Sequence, residues 1–90
     1  MSHTVREKPK LLARIRRLKG QMEAVERALE AEASCGEILN LVASVRGAIN
    51  GLTAELIEDH IREHVVEAAD GVARSRGADE LIDVVRTYLK

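Results

Sequence analysis

Aromatic side chains are almost absent from this sequence, which contains no Trp and no Phe, and Tyr88 is its single aromatic residue. Any hydrophobic core must therefore be built from Leu, Ile, Val and Ala. No apolar run approaches the ~18 residues needed to cross a bilayer. The basic N-terminus also lacks the apolar segment of a signal peptide. We therefore expect a cytoplasmic protein that does not enter the membrane.

Cysteine is equally scarce, because Cys35 stands alone in 90 residues. A single cysteine cannot form an internal disulfide, so Cys35 is left for metal or redox chemistry. The length allows one domain, and a chain this short buries only about 60 to 65% of its unfolded surface. Oligomerisation is therefore expected. No nucleophile–base pair or phosphate-binding loop can be identified, so we do not expect an enzyme.

Charge is distributed unevenly along the chain. The first twenty residues contain seven Lys or Arg against one Glu, a net charge of +6, whereas the other seventy residues sum to −7. A cationic segment without membrane-inserting aromatics favours nucleic acid phosphates as a partner, while the acidic remainder favours cations.

The hydrophobic pattern predicts an all-α fold with three helices. Steps of four and three between apolar residues are typical of packed helices, and they predict a first helix over about 6–31 and a second over about 35–66. Pro9 belongs in a first turn, so residues 1–5 are expected to form a flexible arm. Ser34 and Glu37 form a capping box that starts the second helix. Residues 69–77 resemble a loop, and Asp79 is expected to cap a short third helix over about 79–89.

A candidate metal site lies on the second predicted helix. His60 and His64 are four residues apart and therefore project from one helical face, although two solvated or packed histidines would show the same spacing. Cys35 could be a thiolate ligand or simply a small buried residue. Cys35 and the two histidines are separated by roughly 37 to 43 Å along one helix, whereas metal bonds are ~2.0 to 2.3 Å long. They cannot share a metal within one chain.

Antiparallel pairing of two copies of the second helix would solve this problem, because Cys35 of one chain would then lie opposite His60 and His64 of the other. Gly47 and Gly51 fall near the centre that this pairing requires. Mid-helix glycine costs about 1 kcal/mol relative to Ala, and close approach of a partner backbone would explain both glycines. Two-fold symmetry then predicts two equivalent sites between subunits in each dimer.

The N-terminal arm could complete such a site. His3 lies on it, where a solvated histidine is the simplest interpretation, and removal of Met1 would expose the α-amine of Ser2 as a further nitrogen donor. One sulfur with several nitrogens suits Co(II), Ni(II) or Zn(II) better than Mg(II) or Ca(II).

Basic residues on the first helix are candidates for DNA binding. Lys10, Arg14 and Arg17 share one face, with Arg16 and Lys19 beside them. A solvated charged face is the alternative, and the density of positive charge makes phosphate binding an equal possibility.

Several segments together resemble the CsoR/RcnR family of all-helical, metal-sensing transcriptional repressors. They are LLARIRRLKGQ (11–21), Cys35 with its following helix, VRGAINGL (45–52), the segment 60–64, and the C-terminal VRTYLK. The resemblance covers nearly the whole chain. It implies a three-helix protomer, an antiparallel dimer formed through the second helix, and a disc-like homotetramer.

Within that family, His3, Cys35, His60 and His64, with the amine of Ser2, resemble the ligands of the nickel- and cobalt-responsive branch. Copper sensors have a second cysteine where this chain has His64. The resemblance implies that the metal-free protein binds operator DNA through basic residues including Arg14 and Arg17. It also implies that binding of Ni(II) or Co(II) releases the DNA, with Zn(II) also possible.

Two alternatives stay open. Formaldehyde-responsive members of the family resemble this chain at Cys35 but use an N-terminal proline, and they would join Cys35 to the N-terminal amine. A helical oligomerisation module without a sensing role is the alternative from another class of protein.

Overall fold

The computed structural model describes residues 3–88, which are helical apart from two short connections and the turn at Glu7. The helices are α1 (His3–Arg6), α2 (Lys8–Glu30), α3 (Cys35–Ile61), a π-helical turn (Arg62–Val66) that continues α3, and α4 (Gly71–Tyr88). The described residues contain no strand, so the predicted all-α fold is confirmed. None of the described helices is long and apolar enough to cross a membrane.

The ends of α2 follow from local chemistry. Pro9 lies in the first turn, where its missing N–H would have no helical partner. At the other end Glu32 takes a left-handed conformation with φ of 54°, and the Ala33 N–H donates to the Ala28 carbonyl at 2.9 Å. This backbone arrangement closes the helix in the way that a glycine usually does.

The start of α3 confirms the predicted N-cap. The Glu37 N–H donates to Ser34 Oγ at 3.2 Å, so Ser34 satisfies one of the free donors of the first turn. From Cys35, in its first turn, the helix runs without a break to Ile61, and His60 lies in its last turn.

The third long helix differs from the prediction. It begins at Gly71 rather than near Asp79, so most of the expected loop at 69–77 is helical. Asp70 provides the cap instead of Asp79, because Asp70 Oδ1 accepts the Ala73 N–H at 2.8 Å. The two glycines suggested a loop, but this cap and the packing of Gly77 stabilise a helix there.

Two compact units divide the chain. Within the described residues, 3–6 and 54–88 belong to one unit and Glu7–Thr53 to the other. In the second unit, Gln21 Nε2 of α2 donates to Ser44 Oγ of α3 at 3.4 Å. Val45 is the one buried hydrophobic residue among those described. Much of the predicted apolar seam stays exposed, including Met22 at 54% and Ile49 at 47%.

Candidate metal centre

The three histidines of the chain meet in one place. His3, His60 and His64, hereafter the histidine cluster, each offer one ligand atom, and these atoms lie within 4.8 Å of one another. The ring centroids are 4.7 Å apart for His60 and His64, 5.6 Å for His3 and His64, and 6.3 Å for His3 and His60. His3 is buried, and the other two are half-buried.

The junction of α3 with the π turn positions two of these rings. His60 is in the last turn of α3, and His64 lies within the π turn. The Glu67 N–H donates to the Arg62 carbonyl at 2.9 Å, the five-residue spacing of a π turn. Such turns are rare and are frequent at functional sites. The spacing of four residues predicted that the rings would be neighbours, and the ring distance confirms it.

Glu63 connects α1 to the π turn and so brings His3 to the cluster. The backbone N–H of His3 donates to Glu63 Oε2, and the Arg6 guanidinium lies 3.6 Å from the same oxygen. The expectation of a flexible arm over residues 1–5 is therefore wrong for residues 3–5, which form part of a helical turn. The predicted amine ligand on Ser2 lies outside the described residues.

A glycine lets α4 pack directly on the π turn. Gly77 is buried, and a Cβ added there would lie 2.2 Å from the His64 carbonyl oxygen and 2.8 Å from His64 Cβ. No larger residue fits without moving one of the two backbones. Glycine is therefore required at residue 77 because α4 and the π turn approach closely there, and not because of a loop conformation.

The same glycine orients His60. His60 Nε2 lies 2.9 Å from the Gly77 carbonyl oxygen. A carbonyl can only accept, so Nε2 must hold the proton, and Nδ1 is the nitrogen left to coordinate a metal. Donation of the second ring N–H to a backbone carbonyl is the usual support for a metal-binding histidine. Glu80 Oε2, 3.9 Å from His60 Nε2, adds negative charge beside this proton.

The chemistry of the cluster fits a transition metal. His3 Nδ1 is buried and has no hydrogen-bond partner among the described residues. A buried polar atom without a partner is costly, and a metal ion would satisfy it. Neutral imidazole nitrogens suit Zn, Cu, Fe and Ni better than Mg or Ca. Glu63 lies at the edge of the cluster, with Oε2 4.0 Å from His64 Nε2.

Cys35 is not part of this cluster. It is exposed at the start of α3, next to its cap Ser34, whereas the histidines lie where α3 ends. Among the described residues, only the three histidines are grouped closely enough to share an ion.

The candidate DNA-binding side chains all lie on α2. Four of them are exposed, whereas Arg14 is half-buried. Arg14 Nη2 lies 3.4 Å from where a Cβ on Gly51 would be. Gly51 therefore faces an arginine of its own chain, while the corresponding space beside Gly47 is open.

Sequence reasoning missed Glu63 and Gly77. Glu63 could have been found, because it lies between the two helical histidines and directly precedes His64. Gly77 could not, since its role depends on how α4 crosses the π turn.

The chain was compared with known proteins. Residues 7–87 match the family model of metal-sensitive transcriptional repressors. The chain belongs to this family. It is 52% identical, over the full length of both chains, to an uncharacterized protein encoded in the bioA 5′ region of Serratia marcescens. It is 39% identical, again over both full lengths, to a transcriptional repressor RcnR homolog from Escherichia coli O139:H28 (strain E24377A / ETEC).

One solved structure is also similar. It is a variant of the formaldehyde-responsive regulator FrmR from Salmonella enterica serovar Typhimurium, in which a glutamate is replaced by histidine. The match has a TM-score of 0.85 and 40% identity, and it covers 96% of this chain and 98% of the other. The resemblance to the CsoR/RcnR family is thus confirmed, and the family consists of transcriptional regulators rather than enzymes.

Proposed function

We propose that the protein binds operator DNA in its metal-free form and releases it when Ni(II) or Co(II) binds the histidine cluster. The observation that supports this most directly is the convergence of three histidine nitrogens within 4.8 Å. The family is metal-sensitive, and one relative is named as an RcnR homolog. Zn(II) can use the same donors and stays a possible ligand.

The proposed ligands are His3, His60, His64 and a Cys35 thiolate from a second chain, with the Ser2 amine as a further donor. When bound, the ion would join these side chains into one rigid group. Glu63 holds α1 against the π turn, and the Gly77 carbonyl orients His60. These residues place the donors before the ion arrives, so less ordering is needed on binding.

The contribution of Cys35 requires a dimer in which α3 pairs antiparallel with its copy. Exposed apolar side chains along α3 support this pairing, among them Leu39 at 63% and Val42 at 47%. The open space beside Gly47 would let a second backbone approach. A dimer of such dimers gives the proposed homotetramer.

Mixed dimers test whether the site lies between subunits. Cys35→Ala and His64→Ala each remove a ligand from both sites of a homodimer. A heterodimer of the two variants has one site with Cys35 and His64 intact. Refolding them together should restore part of the thiolate-to-cobalt absorption that each variant lacks alone. No recovery in a mixture shown to form heterodimers would refute the shared site.

On the DNA side, we propose that Lys10, Arg14, Arg16, Arg17 and Lys19 bind operator phosphates. Metal must then bind the DNA-incompetent form more tightly, with a coupling of about 1 to 3 kcal/mol shared reciprocally between metal and DNA. Ligation of His3 is the proposed link, because the ion would then tie α1, which leads directly into α2, to the cluster.

Fluorescence anisotropy of operator DNA tests the function. Metal-free protein is titrated onto the DNA, and Ni(II), Co(II), Zn(II), Cu(I) and formaldehyde are then added separately. Release by Ni(II) or Co(II) is expected, and His64→Ala should abolish it. Glu58→Gln, at an exposed position on α3 outside the cluster, is the control that should behave like the unmodified protein. DNA binding that no metal alters would refute the proposal.

A formaldehyde-responsive repressor is the second candidate, favoured by the FrmR match and by the exposure of Cys35. The Cys35 thiol would add to formaldehyde, and the N-terminal amine would then displace water to leave a methylene bridge between sulfur and nitrogen. Release by formaldehyde that is lost in Cys35→Ala but retained in His64→Ala, without release by any metal, would support this candidate over the first.

A further inference from the structure

A polar cavity lies between α2 and α3 within the unit Glu7–Thr53. Its volume is about 220 Å³, and it is lined by Arg14, Arg17, Leu18, Gln21 and Ala48. The four α2 residues are spaced at i, i+3, i+4 and i+7, so they share one helical face. A water molecule occupies about 30 Å³ of liquid volume, which leaves room here for a tetrahedral anion with some of its hydration.

Gln21 is the unusual member of this lining. Its Oε1 is buried without a hydrogen-bond partner among residues 3–88, while Nε2 makes a long contact of 3.4 Å with Ser44 Oγ. Turning the amide by 180° lets Oε1 accept the Ser44 hydroxyl proton and gives the partnerless position to Nε2, a donor that then lacks an acceptor among the described residues. A phosphate oxygen would supply that acceptor.

The opposite wall is made from small residues of α3. Ala48 lines the cavity, and a Cβ added at Gly51 would just contact the Arg14 guanidinium, 3.4 Å from Nη2. A larger side chain at either position would compete with the guanidinium or with the ligand. The small residues therefore serve the cavity as well as any contact between subunits.

We infer that this cavity binds one phosphate group of the DNA backbone, with the Gln21 amide as a third donor beside Arg14 and Arg17, and with α3 as its wall. The inference rests on the proposed DNA-binding function and adds Gln21, Ser44 and the small residues of α3 to the basic residues of α2. Two guanidinium groups and one amide directed at a single anion form charge-assisted hydrogen bonds.

Two matched charge changes test the site. Gln21→Glu places a carboxylate at the phosphate and should weaken operator binding by about a hundredfold. Ala31→Glu adds the same charge at an exposed position about 15 Å further along the chain, beyond the ~10 Å screening length of 0.1 M salt. It should change affinity less than about threefold. Equal effects of both variants would overturn the inference, and circular dichroism spectra confirm that each variant remains helical.

The salt dependence of DNA affinity distinguishes the contribution of the Gln21 amide from that of the arginines. Arg17→Ala should reduce the slope of log affinity against log salt by up to about 0.9, because it removes one positive charge from the phosphate contacts. Gln21→Ala should weaken binding by about tenfold and leave the slope unchanged, because the amide is neutral. In the double variant the losses should be less than additive, since both groups bind one phosphate. Full additivity would contradict a shared ligand.

Operators in which one backbone phosphate is replaced by an uncharged methylphosphonate show which phosphate the cavity binds. At one position this replacement should weaken binding by the unmodified protein and have a much smaller effect on Gln21→Ala. If Gln21→Ala instead relaxes the preference at one base pair, the amide contacts a base edge and the inference is wrong. If the protein bound inorganic phosphate at constant ionic strength but bound no operator, an anion site would be shown and the proposed repressor function would be refuted. Operator binding that Gln21→Glu does not weaken would refute only the cavity.

Discussion

The histidine cluster and the basic face of α2 are organised in opposite ways. The cluster is held by contacts within its own unit: Glu63 anchors His3, and Gly77 packs on His64 and orients His60. Most of the basic side chains project into solvent from a helix whose unit has a single buried hydrophobic residue. One chain thus brings three histidine nitrogens together, whereas most of the basic face of α2 and Cys35 are left exposed.

The largest predicted effect falls on the cluster. His64→Ala removes one of three converging nitrogens and should lower Co(II) affinity by at least about a hundredfold, since loss of mere supporting groups already costs 10- to 100-fold. Competition with a chelator of known affinity measures this. Arg16→Ala, on the basic face, should leave metal affinity unchanged. Comparable losses of Co(II) affinity in both variants would contradict the assignment of metal binding to the histidine cluster alone.

A smaller effect is predicted for the contact between α4 and the π turn. Gly77→Ala should lower the free energy of unfolding by about 1 to 3 kcal/mol, because the added methyl overlaps the His64 backbone. It should also weaken metal binding by displacing His64. Gly20→Ala is the control, since nothing lies within 4 Å of its Cβ position. That change should stabilise α2 by about 0.5 to 1 kcal/mol.

Urea unfolding of the metal-free protein, followed by circular dichroism, gives both values. If Gly77→Ala were as stable as Gly20→Ala, α4 could not pack on the π turn as described.

Helix caps should show the smallest difference between the two regions. Ser34 caps α3 in one unit and Asp70 caps α4 in the other. Replacing either with Ala should cost about 1 kcal/mol of unfolding free energy, because each change leaves one helical N–H without its acceptor. Near-equal losses would show that the two regions differ in their sites rather than in the stability of their helices. A loss confined to one variant would show that its unit alone depends on the cap.

Local patterns predicted much of this architecture. The apolar spacing gave the long second helix, whose continuation through residue 66 is partly π-helical, and Ser34 with Glu37 marked its start. The pairing of His60 with His64 followed from helical spacing. The order of the N-terminal segment could not be predicted, because it depends on Glu63, sixty residues away in the chain. Helix α4 was predicted too short because the glycines and arginines of residues 69–77 indicated a loop, whereas the role of Gly77 is set by tertiary packing.

The central claim is that His3, His60 and His64 bind one metal ion together. X-ray absorption of the Co(II)- or Ni(II)-loaded protein tests it directly, because imidazole rings give multiple-scattering features that can be counted. We expect three imidazoles at the ion in the unmodified protein and two in His3→Ala, with the other ligands retained. One imidazole or none in the unmodified protein, or a count unchanged in His3→Ala, would contradict it.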